Sequence, residues 1–216
     1  MNPRDSLRHQ GLRKRLAEGI RIKGIKDQRV LDAIARVPRH LFMDSSFIQF
    51  AYKDQAFPIG SGQTISQPFT VAFQTQLLDV QPNDKILEVG TGSGYQAAVL
   101  LEMEANVYTI ERQRELYLNV QQLLPDIGYH PRFFYGDGYK GLPTYGPFDK
   151  ILVTAGAPSV PEDLLKQLRT GGVLVAPIGS SDKQTMYKIT RLSEVDFDKE
   201  KHGTFVFVPM LKGTTN

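Results

Sequence analysis

The feature that most constrains the fold is an alternation of short apolar runs with helical segments between residues 85 and 178. Each apolar run has the length of a strand and carries apolar residues at consecutive positions, which is typical of strands buried on both faces. Strands that alternate with helices along a chain indicate a parallel sheet covered by helices on both sides. We therefore expect an α/β fold with a doubly wound, mostly parallel sheet.

The C-terminal tail follows a different pattern, because two strand-like runs, 185–192 and 204–208, are joined without a helical segment. They predict an antiparallel pair. Before the alternating region, Asp27 is a candidate cap for a helix that ends at Pro38, and a loop region is expected from there to about Gln67. The other predicted strands are 85–89, 107–110, 132–135, 149–154 and 173–178, and the other predicted helices are 68–78, 93–103, 112–124 and 161–168.

Length and composition narrow the class of protein. The chain has 216 residues, 41% of them hydrophobic, which suffices for one full core and predicts a single domain. No apolar run approaches the ~20 residues of a membrane helix, and the first twenty residues lack a secretory signal, so we expect a cytoplasmic protein without a membrane partner. The absence of cysteine excludes disulfides, thiolate metal sites and cysteine nucleophiles.

The basic charge is concentrated in an N-terminal helical arm, residues 1–40, which holds 11 Lys and Arg against 4 Asp and Glu. Leu12, Leu16 and Ile20 recur at four-residue spacing and predict an apolar stripe, with basic residues such as Arg13 around it. The basic residues are read as a solvated helix face. A basic patch that attracts an acidic partner is the alternative.

A glycine-rich turn follows the first strand of the alternating region, in the sequence Gly-Thr-Gly-Ser-Gly at 90–94. Glycines at the carboxyl end of a strand let the backbone approach a nucleotide-like ligand. The dinucleotide fingerprint Gly-x-Gly-x-x-Gly, counted from Gly90, would have its third glycine at position 95, which is Tyr95 here. The Glu88 carboxylate before the turn would repel a pyrophosphate but attract an ammonium. The predicted ligand carries an amine and no phosphate, and S-adenosylmethionine fits that description.

Two further acids follow the next two strands. Glu111 comes 21 residues after Gly90, where a carboxylate can accept hydrogen bonds from ribose hydroxyls. Asp137, before Gly138, ends the third strand. Alternatively, Glu111 is a solvated carboxylate at a helix start and Asp137 is an ordinary turn residue.

With these motifs the chain resembles the Rossmann-like class I methyltransferases, whose first motif has the form acid-x-Gly-x-Gly-x-Gly. The resemblance implies S-adenosyl-L-methionine as the cofactor. The cofactor-binding residues expected from it are Glu88, Gly90, Thr91, Gly92, Ser93, Glu111, Asp137 and Gly138.

Several substrate classes lack their signatures. The segment after the fourth predicted strand reads Thr-Ala-Gly-Ala-Pro at 154–158, which offers no aromatic platform for a flipped base, so no nucleic-acid partner is expected. His9, His40, His130 and His202 are scattered without metal-ligand spacing and are interpreted as surface or boundary residues. We therefore expect no metal.

Residues 60–70 form an unusual neutral stretch, Gly-Ser-Gly-Gln-Thr-Ile-Ser-Gln-Pro-Phe-Thr, which we call the acceptor loop. A carboxylate is ionised at pH 7 and needs positioning, not a general base, before it attacks a sulfonium methyl. The hydroxyls of Thr64 and Ser66 and the nearby backbone N–H groups are suitable neutral donors. Alternatively, Ser66 only caps the helix that starts near Pro68.

Longer motifs identify a specific family. Gln-Thr-Ile-Ser-Gln-Pro at 63–68 and Arg-Val-Pro-Arg-His-Leu-Phe at 36–42, together with the glycine turn, resemble the protein L-isoaspartate O-methyltransferases over roughly residues 25–213. The resemblance implies methylation of the free α-carboxylate of isoaspartyl residues in damaged proteins and peptides. The ester then closes to a succinimide, which can reopen as normal aspartate.

Carried over by position, the resemblance assigns Ser66 as the catalytic-site serine. Thr64, Ile65, Gln67, Val208 and Pro209 are the expected substrate-binding residues, although the apolar run around Val208 also fits a buried strand. Within the single domain, residues 83–180 are the expected cofactor-binding core and 185–213 the C-terminal strands. The competing hypotheses are a small-molecule O-methyltransferase and a non-catalytic, cofactor-binding partner module.

Overall fold

The computed structural model describes residues 5–215, so the first four residues of the predicted arm and Asn216 lie outside the described residues. Short 3-10 helical segments occur at Arg39–Phe42, Ser45–Phe50 and Pro143–Tyr145. The helices are α1 (Leu7–Ile22), α2 (Gln28–Arg36), α3 (Pro68–Leu78), α4 (Tyr95–Glu102), α5 (Arg114–Asp126) and α6 (Glu162–Lys166). The strands are β1 (Phe57–Gly60), β2 (Gln63–Ile65), β3 (Lys85–Val89), β4 (Asn106–Glu111), β5 (Arg132–Tyr135), β6 (Phe148–Val153), β7 (Leu168–Ser180), β8 (Lys183–Arg191) and β9 (Phe197–Phe205).

Seven of the strands form one mixed sheet in the order β5-β4-β3-β6-β7-β8-β9. The pairs from β5 to β7 are parallel, and β8 and β9 add antiparallel pairs. This confirms the predicted doubly wound, mostly parallel sheet. The chain moves outward in opposite directions from the β3–β6 junction, and ligands bind at such switch points because the loops diverge there.

Two apolar clusters cover the two faces of the sheet, because successive side chains of a strand point to opposite sides. Ile86 packs with the buried faces of α1 to α5, whereas its neighbour Leu87 packs with Leu164 of α6 on the other side. The helices therefore lie on both faces, as the sequence predicted. None of the helices in residues 5–215 is both long enough and apolar enough to cross a membrane.

The arm packs as predicted, with one exception. Leu16 and Ile20 of α1 are buried. Arg13, however, is also buried: its Nη1 donates to Asp5 Oδ1 at 2.6 Å and its Nε to the Ala35 carbonyl at 2.9 Å. The reading of Arg13 as part of a solvated basic face is therefore wrong, because a carboxylate and a carbonyl provide the partners that a buried guanidinium needs.

The expected loop before Gln67 contains a small hairpin of β1 and β2. Its turn, Gly60-Ser61-Gly62, has φ values of +92°, +48° and +67°. Residues in this left-handed region are typically glycine or small polar residues. Part of the neutral composition of the acceptor loop therefore serves the turn.

The last predicted strand, 204–208, is wrong beyond residue 205. The edge strand β9 carries the charged sequence Asp-Lys-Glu-Lys-His in its middle, and the chain leaves the sheet after Phe205. Val206 is 75% exposed. The backbone of residues 208–210 instead pairs with Gly156, which donates to the Val208 carbonyl and accepts from the Met210 N–H, both at 2.8 Å.

Candidate active site

A cavity that we call the main cavity opens at the carboxyl ends of β3, β4 and β6, at the switch point of the sheet. Four segments supply most of its wall: the acceptor loop, the glycine turn, the end of β4 and the tail after β9. The lining residues used below are Thr64, Ile65, Ser66, Gly90, Thr91, Gly92, Ser93, Glu111, Gly138, Val208 and Pro209.

The glycine turn needs its glycines for two reasons. Gly90 has φ +97°, and a Cβ there would lie 2.5 Å from Thr154 Oγ1, a contact that real Cβ atoms do not make. The Thr154 hydroxyl donates to the Gly90 carbonyl at 2.7 Å and fixes the turn from behind. Gly92, at φ +54°, also takes the left-handed conformation. The cavity wall at this point is therefore bare backbone.

Glu111 lies at the end of β4, buried in the wall of the cavity. Its Oε2 accepts a hydrogen bond from the Gly92 N–H at 2.9 Å, and its Oε1 accepts one from the Gln113 N–H at 2.8 Å. A carboxylate has about four acceptor positions, so capacity remains for two hydroxyl donors. The glycine turn and Glu111 thus form one hydrogen-bonded unit that suits a ribose-bearing ligand.

Glu88 does not line the cavity. Its side chain is fully buried, and its Oε2 accepts from the Thr109 hydroxyl at 2.6 Å. Among residues 5–215, Oε1 has no hydrogen-bond partner. Burial raises the pKa of Glu88 to about 8, and the nearby charge of Glu111 also raises it, against the Thr109 hydrogen bond. Glu88 is therefore mostly uncharged at neutral pH, unlike the ammonium-facing carboxylate inferred from sequence.

Asp137 also lies outside the lining, although Gly138 beside it is in the wall. Its Oδ1 accepts from the Tyr139 N–H at 2.9 Å, and its Oδ2 accepts from the Gly213 N–H at 2.8 Å. The tail segment 211–215, here called the C-terminal strap, therefore occupies one oxygen of an acid that was expected to bind the cofactor.

The strap also binds the end of β4. Arg112 Nε donates to the Gly213 carbonyl at 3.1 Å, and the Thr215 N–H donates to the Arg112 carbonyl at 3.0 Å. The Tyr135 hydroxyl donates to the Thr215 carbonyl at 2.5 Å. The strap thus ties together the strand ends beside Glu111 and Asp137.

In the acceptor loop, the Ser66 hydroxyl makes no hydrogen bond within the described part of the chain. Helix α3 begins at Pro68, and its N-cap residue is Gln67, not Ser66. The Gln67 side chain makes no capping hydrogen bond to the helix. The alternative in which Ser66 caps this helix is therefore wrong. Ser66 instead borders the main cavity, as do Thr64 and the largely buried Ile65.

A side groove adjoins the main cavity and shares Thr64, Ser66, Thr154 and Val208 with it. Its remaining lining residues are Ala56, Gln67, Phe69, Thr70, Thr204, Phe205, Val206 and Phe207, none of them charged. Gln67 borders this groove and not the main cavity. The Ser66 hydroxyl therefore lies where a neutral groove meets a cavity built around a glycine turn.

The histidine interpretation needs correction. The rings of His9 and His40 lie against each other with centroids 3.8 Å apart and planes tilted by 33°, and His40 is 3% exposed. Together with Asp5, their ligand atoms lie within 4.8 Å of one another. Both Asp5 oxygens already accept from Arg13, at 2.6 and 2.9 Å. Sequence spacing hid this cluster because the fold brings His40 against α1.

Comparison with known proteins decides the family. The family model described as protein-L-isoaspartate(D-aspartate) O-methyltransferase matches residues 11–215. The chain belongs to this family.

Curated members of the isoaspartate O-methyltransferase family are closely similar. A protein-L-isoaspartate O-methyltransferase of Christiangramia forsetii is 57% identical over 210 residues, covering 97% of this chain and 98% of the relative. One from Flavobacterium johnsoniae is 55% identical with the same coverage.

Solved structures of the same family share the fold. A protein-L-isoaspartate O-methyltransferase structure gives a TM-score of 0.83 at 26% identity, covering 91% of this chain, which spans only 65% of that protein. A Plasmodium falciparum structure, described as a candidate member of the family in complex with S-adenosyl-L-homocysteine, gives 0.79 at 27% identity and covers 93% and 99% of the two chains.

Some residues that line the main cavity of this family member were not predicted from the sequence. Arg112 and Gln113 directly follow Glu111, and Met210 and Leu211 directly follow Pro209, so adjacency to a motif was the available signal. Thr154 carried no such signal, because its contact with Gly90 depends on the pairing of β3 with β6.

Proposed function

We propose that this protein transfers a methyl group from S-adenosyl-L-methionine to the free α-carboxylate of L-isoaspartyl residues in damaged proteins and peptides, initiating repair through a succinimide. The observation that carries the proposal is the Ser66 hydroxyl, which has no hydrogen bond within residues 5–215 and lies at the junction of the main cavity with a neutral groove. Family membership and relatives of that name at 55–57% identity support it.

The main cavity fits the cofactor. The backbone of Gly90 and Gly92 forms part of its wall, where a ligand can approach it closely, and Glu111 keeps acceptor capacity for ribose hydroxyls. Thr91, Ser93 and Gly138 are the other proposed cofactor contacts in the wall. When bound, S-adenosylmethionine supplies an electrophilic methyl group on a sulfonium.

Glu88 and Asp137 support the same site from behind, in our proposal. Glu88 accepts a hydrogen bond from the Thr109 hydroxyl. The Thr109 hydroxyl is in turn hydrogen-bonded to the hydroxyl of Thr91 in the cavity wall, with 2.6 Å between the two oxygens. Asp137 orders the segment at Gly138 through the Tyr139 N–H. Their contribution is the shape of the wall.

Ser66 is the residue that positions the acceptor. The substrate carboxylate is ionised at pH 7, so no residue has to remove a proton from it. Ser66 Oγ donates a hydrogen bond that orients one carboxylate oxygen, and Thr64 is the second hydroxyl at hand. Because the carboxylate loses its charge as the ester forms, neutral donors stabilise its starting state less than a lysine would.

The side groove is the proposed binding site for the substrate residues that flank the isoaspartyl residue. Val208 and Pro209 present backbone that is held in place by Gly156, so recognition of main chain tolerates many flanking sequences. Ile65 in the main cavity and Gln67 in the side groove are the other proposed substrate contacts. Absence of nucleic-acid binding, a cytoplasmic location and single-domain organisation stay predictions.

The decisive experiment uses two synthetic peptides that differ only in isoaspartate or aspartate at one site. Each is incubated with the protein and S-adenosylmethionine, and the mass of each peptide is measured. We expect a methyl ester, a gain of about 14 Da, or the succinimide that forms from it, on the isoaspartyl peptide alone. If the cofactor binds and neither product forms from either peptide, the proposed acceptor is wrong.

A further inference from the structure

The Asp54 carboxylate lies behind the acceptor loop and holds it at two points. Its Oδ1 accepts from the Phe69 backbone N–H at 2.8 Å, and its Oδ2 accepts from Gln67 Nε2 at 3.1 Å. The same Gln67 amide also donates to the Asp54 carbonyl at 3.1 Å. Both held residues follow Ser66 closely in the chain, although Asp54 itself stands 12 residues before Ser66.

These contacts replace a missing helix cap. The cap residue of α3, Gln67, makes no side-chain bond to the helix, and Pro68 has no N–H to offer. The Phe69 N–H is then the first free donor of the helix, and Asp54 satisfies it from a distant part of the chain. A carboxylate also interacts favourably with the positive end of the helix dipole.

The charge of Asp54 is compensated from the arm. Lys23, just after α1, places its Nζ 2.5 Å from Asp54 Oδ2, and the Asp54 side chain is only 15% exposed. This pairing keeps a bare negative charge away from the groove in which a substrate carboxylate would sit. It also gives one basic residue of the arm a role within the molecule.

We propose that Asp54 is a positioning residue for the acceptor carboxylate and acts through Ser66; this rests on the proposed function. The Ser66 hydroxyl has no hydrogen bond of its own within residues 5–215, so its direction depends on the backbone of the loop. That backbone is fixed at Gln67 and Phe69 by Asp54. Asp54 itself lines neither the main cavity nor the side groove.

The test is a double-mutant cycle of Asp54→Ala with Ser66→Ala, assayed on the isoaspartyl peptide. Asp54→Ala should lower kcat/KM about tenfold or more and leave the dissociation constant of S-adenosylmethionine unchanged, because misplacement of one donor affects only the acceptor side. In the Ser66→Ala background the same substitution should change kcat/KM less than about twofold. Asp54→Asn keeps one acceptor oxygen and should restore part of the activity.

Asp27→Ala is the matched control. Asp27 caps α2 by accepting from the Arg29 N–H at 2.9 Å and pairs with the Arg29 guanidinium. Asp27→Ala should therefore lower thermal stability about as much as Asp54→Ala does. Because the Asp27 side chain makes no hydrogen bond to the acceptor loop within residues 5–215, the peptide kinetics of this variant should stay at the wild-type level.

Three results would overturn the Asp54 proposal: wild-type kcat/KM in Asp54→Ala, an equal loss in Asp27→Ala, or additive losses with Ser66→Ala. Failure of the proposed function looks different. In that case the wild-type protein itself leaves the isoaspartyl peptide unmethylated, and both proposals fall together.

Discussion

At the scale of single residues, Ser66 carries the sharpest expectation. In Ser66→Ala, one hydrogen bond to a charged group is lost, which is worth about 1.5–3 kcal/mol. We expect kcat/KM for the isoaspartyl peptide to fall roughly tenfold to a hundredfold while cofactor affinity is nearly unchanged. Steady-state kinetics and titration calorimetry measure the two quantities.

Ser180→Ala serves as the control for this experiment. Ser180 is exposed, and its hydroxyl lies 3.5 Å from the Lys183 carbonyl, at the limit of a hydrogen bond. Its kinetics should match the wild type. Equal activity of Ser66→Ala and the wild type would remove Ser66 from the mechanism.

Glu88 makes stability depend on pH. Its folded-state pKa of about 8 lies above the ordinary 4.5, so the folded state binds more protons than the unfolded state between these values. Stability therefore falls as pH rises through that window and levels off above it. Glu88→Gln should unfold with less dependence on pH and should exceed the wild type by more than about 1 kcal/mol at pH 8, since one pKa unit corresponds to about 1.4 kcal/mol.

Urea denaturation at pH 5, 6.5 and 8 measures this difference. The carboxamide fits the same space, and the Thr109 hydroxyl can still donate to its oxygen. A wild-type protein that is more stable than Glu88→Gln at pH 8 would show that burial does not raise the pKa of Glu88 in this way.

The sequence predicted the location of those site residues that lie next to the end of a predicted strand or helix. Gly90, Glu111 and Ser66 stand in the cavity wall as expected, because each follows or precedes a strand or helix whose position the pattern determined. Glu88 and Asp137 were harder. Their actual partners, Thr109 and Gly213, come from another strand and from the tail, and local sequence does not specify such pairings.

At the scale of elements, strands β3 to β7 were predictable because apolar runs that mostly alternate with helices have one common arrangement. The hairpin of β1 and β2 was not, since its strands have only four and three residues and β1 contains Pro58 and Gly60, which are unfavourable in strands. Residues 197–203 of β9 were missed, because the predicted strand 204–208 covers only the last two residues of β9. An edge strand with charged residues on both sides resembles a surface loop in sequence.

The C-terminal strap is an element whose removal can be tested. Deleting residues 213–216 removes the hydrogen bonds from Gly213 to Asp137 and from Thr215 to Arg112. Each such bond contributes about 1 kcal/mol, so the cavity wall should loosen and the dissociation constant of S-adenosylmethionine should rise roughly tenfold.

Calorimetry of the truncated protein measures this effect. Substituting only Thr215 by glycine removes the hydrogen bond from its hydroxyl to Gln113 Oε1, keeps the backbone contacts of the strap and should give an intermediate value. Tighter binding after truncation would mean that the strap competes with the cofactor for Asp137.

At the scale of the whole molecule, cofactor binding should stabilise the fold, because the cavity joins the acceptor loop, three strand ends and the tail. A ligand at a hundred times its dissociation constant adds about 2.7 kcal/mol. For a chain of this size that raises Tm by about 5–10 °C. Differential scanning fluorimetry with S-adenosylhomocysteine measures the shift.

Glu111→Ala should show a smaller shift at the same ligand concentration, because the ribose acceptor and the support of Gly92 are both lost. Glu194→Ala, which removes the same charge from an exposed turn, is the matched control and should shift like the wild type. An undiminished shift in Glu111→Ala would refute the ribose assignment.

The charged edge strand β9 has a consequence for the behaviour of the protein in concentrated solution. A protein that receives extended, damaged chains beside an open sheet edge risks recruiting them as additional strands. The alternating Asp198, Lys199, Glu200 and Lys201 side chains make that edge a poor template for further pairing. The neutral groove can thus remain accessible without seeding aggregates of the material it is proposed to repair.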